Sequence, residues 1–136
     1  MYTIPLYKIA TSQLSISEKI GQLFMPAAFI NDSEAEIQKL EQLIRKHHIG
    51  SLCFFHSRAS AATNYEGNPP AGRAGKEVIY NADSFETLKT LVKRYQNVAK
   101  YPLLIAIDAE WGLAMRLDST FAYPWNMTLG AIKDNE

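Results

Sequence analysis

The sequence predicts an α/β fold on a parallel sheet, and three observations carry that reading. Strand-length apolar runs alternate with amphipathic helical repeats, in the order α and then β-α-β-α-β. The last run, "YPLLIAID" at 101–108, is apolar without alternation, as a strand covered on both faces should be. The chain has 136 residues, 47% hydrophobic and 21% charged, which suits one globular domain with its own core.

The first helix is announced by Ser15-Ile16-Ser17-Glu18, the spacing of a capping box in which serine and glutamate each take the other's backbone N–H. Ile16, Ile20, Leu23 and Phe24 then repeat at helical spacing. "LFMPAAF" (23–29) leads into a first strand, although Pro26 lacks a backbone donor and weakens an interior strand. Ser33 and Glu36 open a second helix, with Ile37, Leu40, Leu43, Ile44 and His47 on one stripe. Asp32, Glu34 and Glu36 stand at its start and Arg45, Lys46, His47 and His48 at its end, matching the helix dipole. "IGSLCFF" (49–55) reads as a buried strand. A third helix starts near Ser84, where Asp83 and Glu86 again have capping-box spacing. Phe85, Leu88, Leu91, Val92, Tyr95 and Val98 form its stripe, and 101–108 is the third strand.

Composition excludes several functions. Formal net charge is zero, so no basic field exists to hold nucleic acid or anionic lipid, and neither is expected as a partner. No apolar run approaches the ~20 residues of a membrane span. The N-terminal "MYTIPLYKIATSQLS" has no apolar core of signal-peptide length, which points to the cytoplasm. Cys53 is the sole cysteine and is read as a buried, inert thiol within strand two.

In a parallel sheet with right-handed crossovers, ligands meet the carboxyl ends of the strands. Ala28–Phe29, His56–Arg58 and Asp108–Trp111 then share one rim. The 56–83 connection far exceeds the usual ~4–6 residues and leaves from that rim. Its Arg58, Tyr65, Arg73 and Tyr80 are candidates for ligand contact, with a plain surface insertion as the alternative.

The chemistry concentrates in "LLIAIDAEWGLAMRL" (103–117). A carboxylate at the tip of a buried strand needs partners, because an unpaired charge in a dry site is costly. Asp108 either pairs with Arg116 and caps the turn, or accepts hydrogen bonds from ligand hydroxyls; an ionised carboxylate can take two donors at once. Asp108 and Glu110 do not make a metal site by themselves, since no histidine follows in sequence, so neither a metal nor a cofactor is expected. Retaining or inverting glycosidases need two carboxyl groups ~5–10 Å apart; the turn after Asp108 breaks the strand spacing, so this pair is not assigned that role. Arg116 offers a rigid fork of donors. Trp111 is either a sugar-stacking ring or a packing residue, Gly112 fits a turn needing free backbone angles, and His56 is a weaker rim candidate.

These residues carry a resemblance. "LSISEKIGQLFM" (14–25), "HHIGSLCFF" (47–55), "PLLIAIDAEWGLAMRL" (102–117) and "YPWNMTLGA" (123–131) together resemble the start of a family 3 glycoside hydrolase, and more narrowly its β-N-acetylglucosaminidase branch. The shared pattern is Leu-Ser-x-x-Glu-Lys-Ile-Gly-Gln-Leu-Phe, then Ile-Gly, then Asp-x-Glu-x-Gly with Arg-Leu, then Pro before Leu-Gly-Ala. It implies that residues 1–136 are the N-terminal portion of a TIM-type (β/α)8 barrel, incomplete at about three strands, with a long insertion at 56–83. It implies retaining hydrolysis of O-glycosyl bonds to terminal β-linked N-acetylglucosamine. Asp108 and Arg116 would bind the sugar, with Glu110, Trp111 and His56 as weaker candidates.

Many members have Gln at Ala109, Gly at Trp111 and Arg at Leu113, which bears on substrate detail. The family's Lys-His-x-Pro-Gly segment, the histidine acid/base near it and the later aspartate nucleophile are absent from this chain. The chain is therefore expected to supply sugar recognition, no catalytic residue and no hydrolysis of its own, with open sheet edges that favour self-association. Two alternatives stand beside this reading: a complete, non-enzymatic α/β ligand-binding module, and a β-glucosidase of the same family.

Overall fold

The computed structural model describes residues 12–57 and 80–132. Most of the 56–83 connection, with Arg58, Tyr65 and Arg73, lies outside the described residues. The order is α1 (Ile16–Gly21), β1 (Ala27–Phe29), α2 (Glu34–His47), β2 (Ser51–Phe55), α3 (Ser84–Val98), β3 (Leu104–Ile107), a 3-10 turn (Leu113–Met115) and α4 (Asn126–Gly130). The three strands form one sheet in the order β1-β2-β3, parallel throughout. This is the expected α/β, βαβαβ architecture, consistent with an incomplete portion of a TIM-type barrel.

Register decides which side chains share a face. Ala28 pairs with Phe54, and Leu52 and Phe54 pair with Ile105 and Ile107. These residues meet Ile37, Leu40 and Ile44 of α2 and Leu91 and Tyr95 of α3 in one core cluster. The alternate residues, Phe29, Cys53, Phe55 and Ala106, point to the opposite face and are half-buried. Among the described residues the helices cover one side of the sheet, and β3 lacks the cover on both faces that its apolar run suggested; Leu104 is 64% exposed. Cys53 is half-buried rather than buried, and burial together with the nearby Asp108 charge pushes its thiol pKa up, which keeps it protonated.

Each strand is shorter than its apolar run, for a local reason. The Leu23 and Phe24 amides still donate to Ile20 and Gly21 carbonyls, so they close α1 instead of opening β1. The Gly50 amide donates to Gly21, outside the sheet. Leu103 spends both backbone groups on the Gln96 side chain, at 2.8 and 3.0 Å.

The helix caps follow the sequence in two cases of three. Ser15 Oγ accepts from the Glu18 N–H at 3.2 Å and Glu18 Oε2 accepts from the Ser15 N–H at 2.8 Å, a complete capping box. Ser33 Oγ accepts from the Glu36 N–H at 3.4 Å. Asp83 makes no side-chain cap, because its backbone (φ −96°, ψ 17°) is outside the extended region that capping needs. Asn81 Oδ1 instead accepts the Asp83 N–H at 3.0 Å. On the stripes, Leu43 and Phe85 depart from the expected core, at 43% and 44% exposed, His47 is exposed, and the whole first stripe, Ile16, Ile20, Leu23 and Phe24, is exposed as well. Leu43 lines an apolar groove of about 400 Å³ with Ile16 and Ile20 of α1 and Phe24 just past it. The two crossover helices are locked by Arg94, whose fork takes Glu34 at 2.6 and 2.8 Å and Glu41 at 2.6 Å.

Candidate functional site: the carboxyl rim of the sheet

β3 ends at Ile107, so Asp108 is the first residue past the strand and lies at the carboxyl rim. The chain must then turn back sharply. Gly112 does this with φ 98° and ψ 175°, a conformation essentially restricted to glycine. A Cβ there would also sit 2.6 Å from the Tyr123 ring. The 3-10 turn that follows returns Arg116 to the strand tip. Arg116 Nε donates to the Asp108 carbonyl at 2.7 Å, and Nη2 donates to Asp108 Oδ2 at 2.7 Å.

The pair is asymmetric. The Arg116 side chain is 4% exposed and Asp108 36%. The guanidinium lies over the Phe55 ring, 4.9 Å from its centroid, on the sheet face that the helices do not cover. Among the described residues, Asp108 Oδ1 and Arg116 Nη1 carry no hydrogen bond. Asp108 thus keeps an open acceptor, and the outer nitrogen of the Arg116 fork keeps open donors. Of the two readings left open by the sequence, the fold shows the first: Asp108 pairs with Arg116, with Oδ1 left over.

The other expected site residues are placed differently. Glu110 is exposed; its N–H meets Met115 Sδ at 3.3 Å, and its carboxylate makes no hydrogen bond among the described residues. Trp111 is half-buried and stacks on Trp125, centroids 5.4 Å apart and planes at 21°. Tyr80, at the end of the long connection, is 74% exposed. His56 is 5% exposed and sits in a hydrogen-bonded group that sequence reasoning missed. Its Nε2 lies 2.7 Å from Asp118 Oδ2, which also accepts the Asn81 N–H at 2.8 Å. Asn31 Nδ2 donates to the His56 carbonyl at 3.2 Å, and Asn31 Oδ1 accepts from Asn81 Nδ2 at 2.8 Å. His56 directly follows the last residue of β2, and Asn31 is the second residue past β1, so both stand at the rim. That position relative to the strand ends was the available signal for Asn31. Asp118 lies ten residues past Asp108 and had no such signal.

Among the described residues, no group of three or more His, Cys, Asp or Glu side chains is close enough to hold a metal ion. No described helix is long and apolar enough to cross a membrane.

The family model for the glycosyl hydrolase family 3 N terminal domain matches residues 15–136, from the α1 N-cap through both crossovers and the rim. The chain belongs to glycosyl hydrolase family 3. Comparison with curated proteins and with solved structures finds no match. Family 3 membership makes this a segment of a glycosidase catalytic fold, and it agrees with the α/β sheet and the placement of polar residues at its carboxyl ends.

Proposed function

We propose that this segment is the sugar-recognition part of a family 3 glycosidase acting on terminal β-linked N-acetylglucosamine. The observation that carries the reading is the Asp108–Arg116 pair at the rim, which leaves Asp108 Oδ1 and Arg116 Nη1 without a hydrogen bond among the described residues. Neighbouring ring hydroxyls each offer a donor and an acceptor, and such a pair satisfies them together. Asp108 is the principal acceptor and Arg116 the principal donor. Glu110 and Trp111, exposed and half-buried within the turn after Asp108, supply weaker contacts. The acid at Glu110 supports the N-acetylglucosaminidase branch over the glucosidases, since it completes the Asp-x-Glu-x-Gly pattern.

The chain by itself binds sugar and does not cleave it. Asp108 is paired with a buried guanidinium and Asp118 with an imidazole, so the two do not form a pair of free carboxyl groups of the glycosidase kind. Among the described residues β3 is an edge strand with Leu104 exposed, which also favours pairing with a further chain segment or a second copy.

The test is a titration of the purified 136-residue chain with N-acetylglucosamine and with glucose, followed by NMR, beside an assay with a chromogenic β-N-acetylglucosaminide. Saturable shifts at Arg116 Nε–H with the first sugar, weaker ones with glucose and no hydrolysis are expected. Hydrolysis by the chain, or a stronger response to glucose, would overturn the corresponding part of the reading. Saturable binding with no dependence on Asp108 would overturn its principal assignment.

A further inference from the structure

The hydrogen-bonded group around His56 touches neither Asp108 nor Arg116, yet it is joined to them through two short stretches of chain. Phe55 and His56 are adjacent at the tip of β2. Phe55 carries the Arg116 guanidinium on its ring, and His56 holds Asp118, two residues past Arg116. Leu117, between them, is 1% exposed and part of the core cluster. The tip of β2 therefore grips the returning segment at both ends, once through a ring and once through an imidazole.

The partner of Nε2 sets which ring nitrogen of His56 acts as donor toward the clamp. An aspartate carboxylate only accepts, so Nε2 at 2.7 Å from Asp118 Oδ2 carries the hydrogen. Asn31 Nδ2 is 3.3 Å from the same nitrogen, but its N–H is directed to the His56 carbonyl, and its oxygen is taken by Asn81. Asn81 closes the ring by donating its backbone N–H to Asp118. One carboxylate oxygen thus ties the residue after β2 to the residue two before the Asp83 cap of α3, and both to the segment after β3.

We propose that His56 and Asp118 are positioning residues for Arg116: their hydrogen bond fixes the 116–118 segment so that the guanidinium stays on Phe55 and against Asp108, although neither residue touches the sugar. The inference rests on the sugar-recognition reading above for its functional consequence, but its structural claim is independent of it. A guanidinium pre-placed by its surroundings loses less freedom on binding than one that must be ordered by the ligand.

The experiment compares His56→Ala, His56→Gln, Asp118→Ala and Asp118→Asn in the full 136-residue chain. Three quantities are read: solvent exchange of the Arg116 Nε–H, the dissociation constant for N-acetylglucosamine, and the thermal midpoint. Loss of a buried hydrogen bond to a charged group should make H56A and D118A exchange about tenfold faster at Arg116 Nε–H and bind the sugar about tenfold more weakly. H56Q restores a donor near the Nε2 position, and D118N keeps an acceptor oxygen; both should recover most of the loss. A purely structural role would lower the midpoint in all four and leave Arg116 exchange tracking global unfolding, which would overturn the proposal. If the wild-type chain does not bind the sugar, the recognition reading falls, and the exchange rates still decide whether the clamp exists. Should H56A not fold, H56Q is compared with His56→Asn, whose amide is withdrawn by one methylene; equal Arg116 exchange in those two would also overturn it.

Discussion

The two ends of the sheet each hold a half-buried ion pair, and the pairs are built in opposite senses. At the amino end the acid is inside: the Glu18 side chain is 10% exposed and its partner Lys100 55%. Glu18 is saturated, taking Lys100 and the Tyr101 hydroxyl on Oε1 and the Ser15 N–H on Oε2. At the carboxyl end the cation is inside, and the outward member, Asp108, keeps an oxygen free. A saturated pair with a flexible ammonium outermost is finished as a structural joint. A buried rigid fork with an open carboxylate outermost has bonding capacity left for a ligand. In a parallel sheet, stability residues at one end and ligand residues at the other is the division expected of barrel-type folds.

The sharpest way to break this comparison is at the amino end. Gly21 and Gly50 are there because backbones approach closely: a Cβ on Gly21 would lie 1.8 Å from the His47 carbonyl oxygen, and one on Gly50 would lie 2.7 Å from Gln22 Cα. Neither neighbour is a side-chain tip that can swing away. Gly21→Ala should cost more than about 4 kcal/mol, the exceptional class for a single substitution. Circular dichroism melts will show either no cooperative transition or a large drop in midpoint. A melt within a few degrees of wild type would show that α1 is not tied to the α2–β2 corner.

The rim should respond in the other currency. Asp108→Asn keeps the shape and one acceptor oxygen but leaves a nearly buried guanidinium without its counter-charge. A stability loss of about 1–3 kcal/mol is expected, smaller than at Gly21. Binding of N-acetylglucosamine should fall at least about tenfold, since a charged acceptor is replaced by a neutral one. A variant that loses stability as Gly21→Ala does but binds sugar normally would remove the distinction between the two ends.

How legible these ends were in the sequence follows from the range of the interactions. The Ser15–Glu18 box, most of the α2 and α3 stripes and the strand order are local or periodic, and they were readable directly; the stripe of α1 was not, since Ile16, Ile20, Leu23 and Phe24 are exposed. The single-sided sheet was not: "LLIAI" is apolar on both faces, but only the register with Leu52 and Phe54 shows which face meets the helices. The Asp83 cap failed because Asn81, held by Asp118 and Asn31, sets the local backbone. Asp108 and Arg116 were visible because they share one short turn. The clamp was not, since His56 and Asp118 are 62 residues apart and meet only through the crossover.

The smallest expected effect separates the ends by pH. Hydrogen bonds from Lys100 first, then Ser15 and Tyr101, hold the Glu18 carboxyl well below its usual range, and Arg94 lowers Glu34 to about 2. A carboxylate depressed in the folded state binds fewer protons than in the unfolded chain. Its contribution is therefore complete above the unfolded value near 4.5 and is lost as pH falls through the folded value. Between about pH 4.5 and 2 the midpoint of the wild-type melt should drop. Glu18→Gln should be less stable at pH 7, with the gap to wild type closing across that window. Glu34→Gln should show a weaker form of the same convergence, reduced further by salt, because Glu34 is 58% exposed and Arg94 33%. Curves for Glu18→Gln and wild type that stay parallel from pH 7 to 2 would show that the amino-end pair does not hold the fold, and that burial of the acid there is not what distinguishes it from the rim.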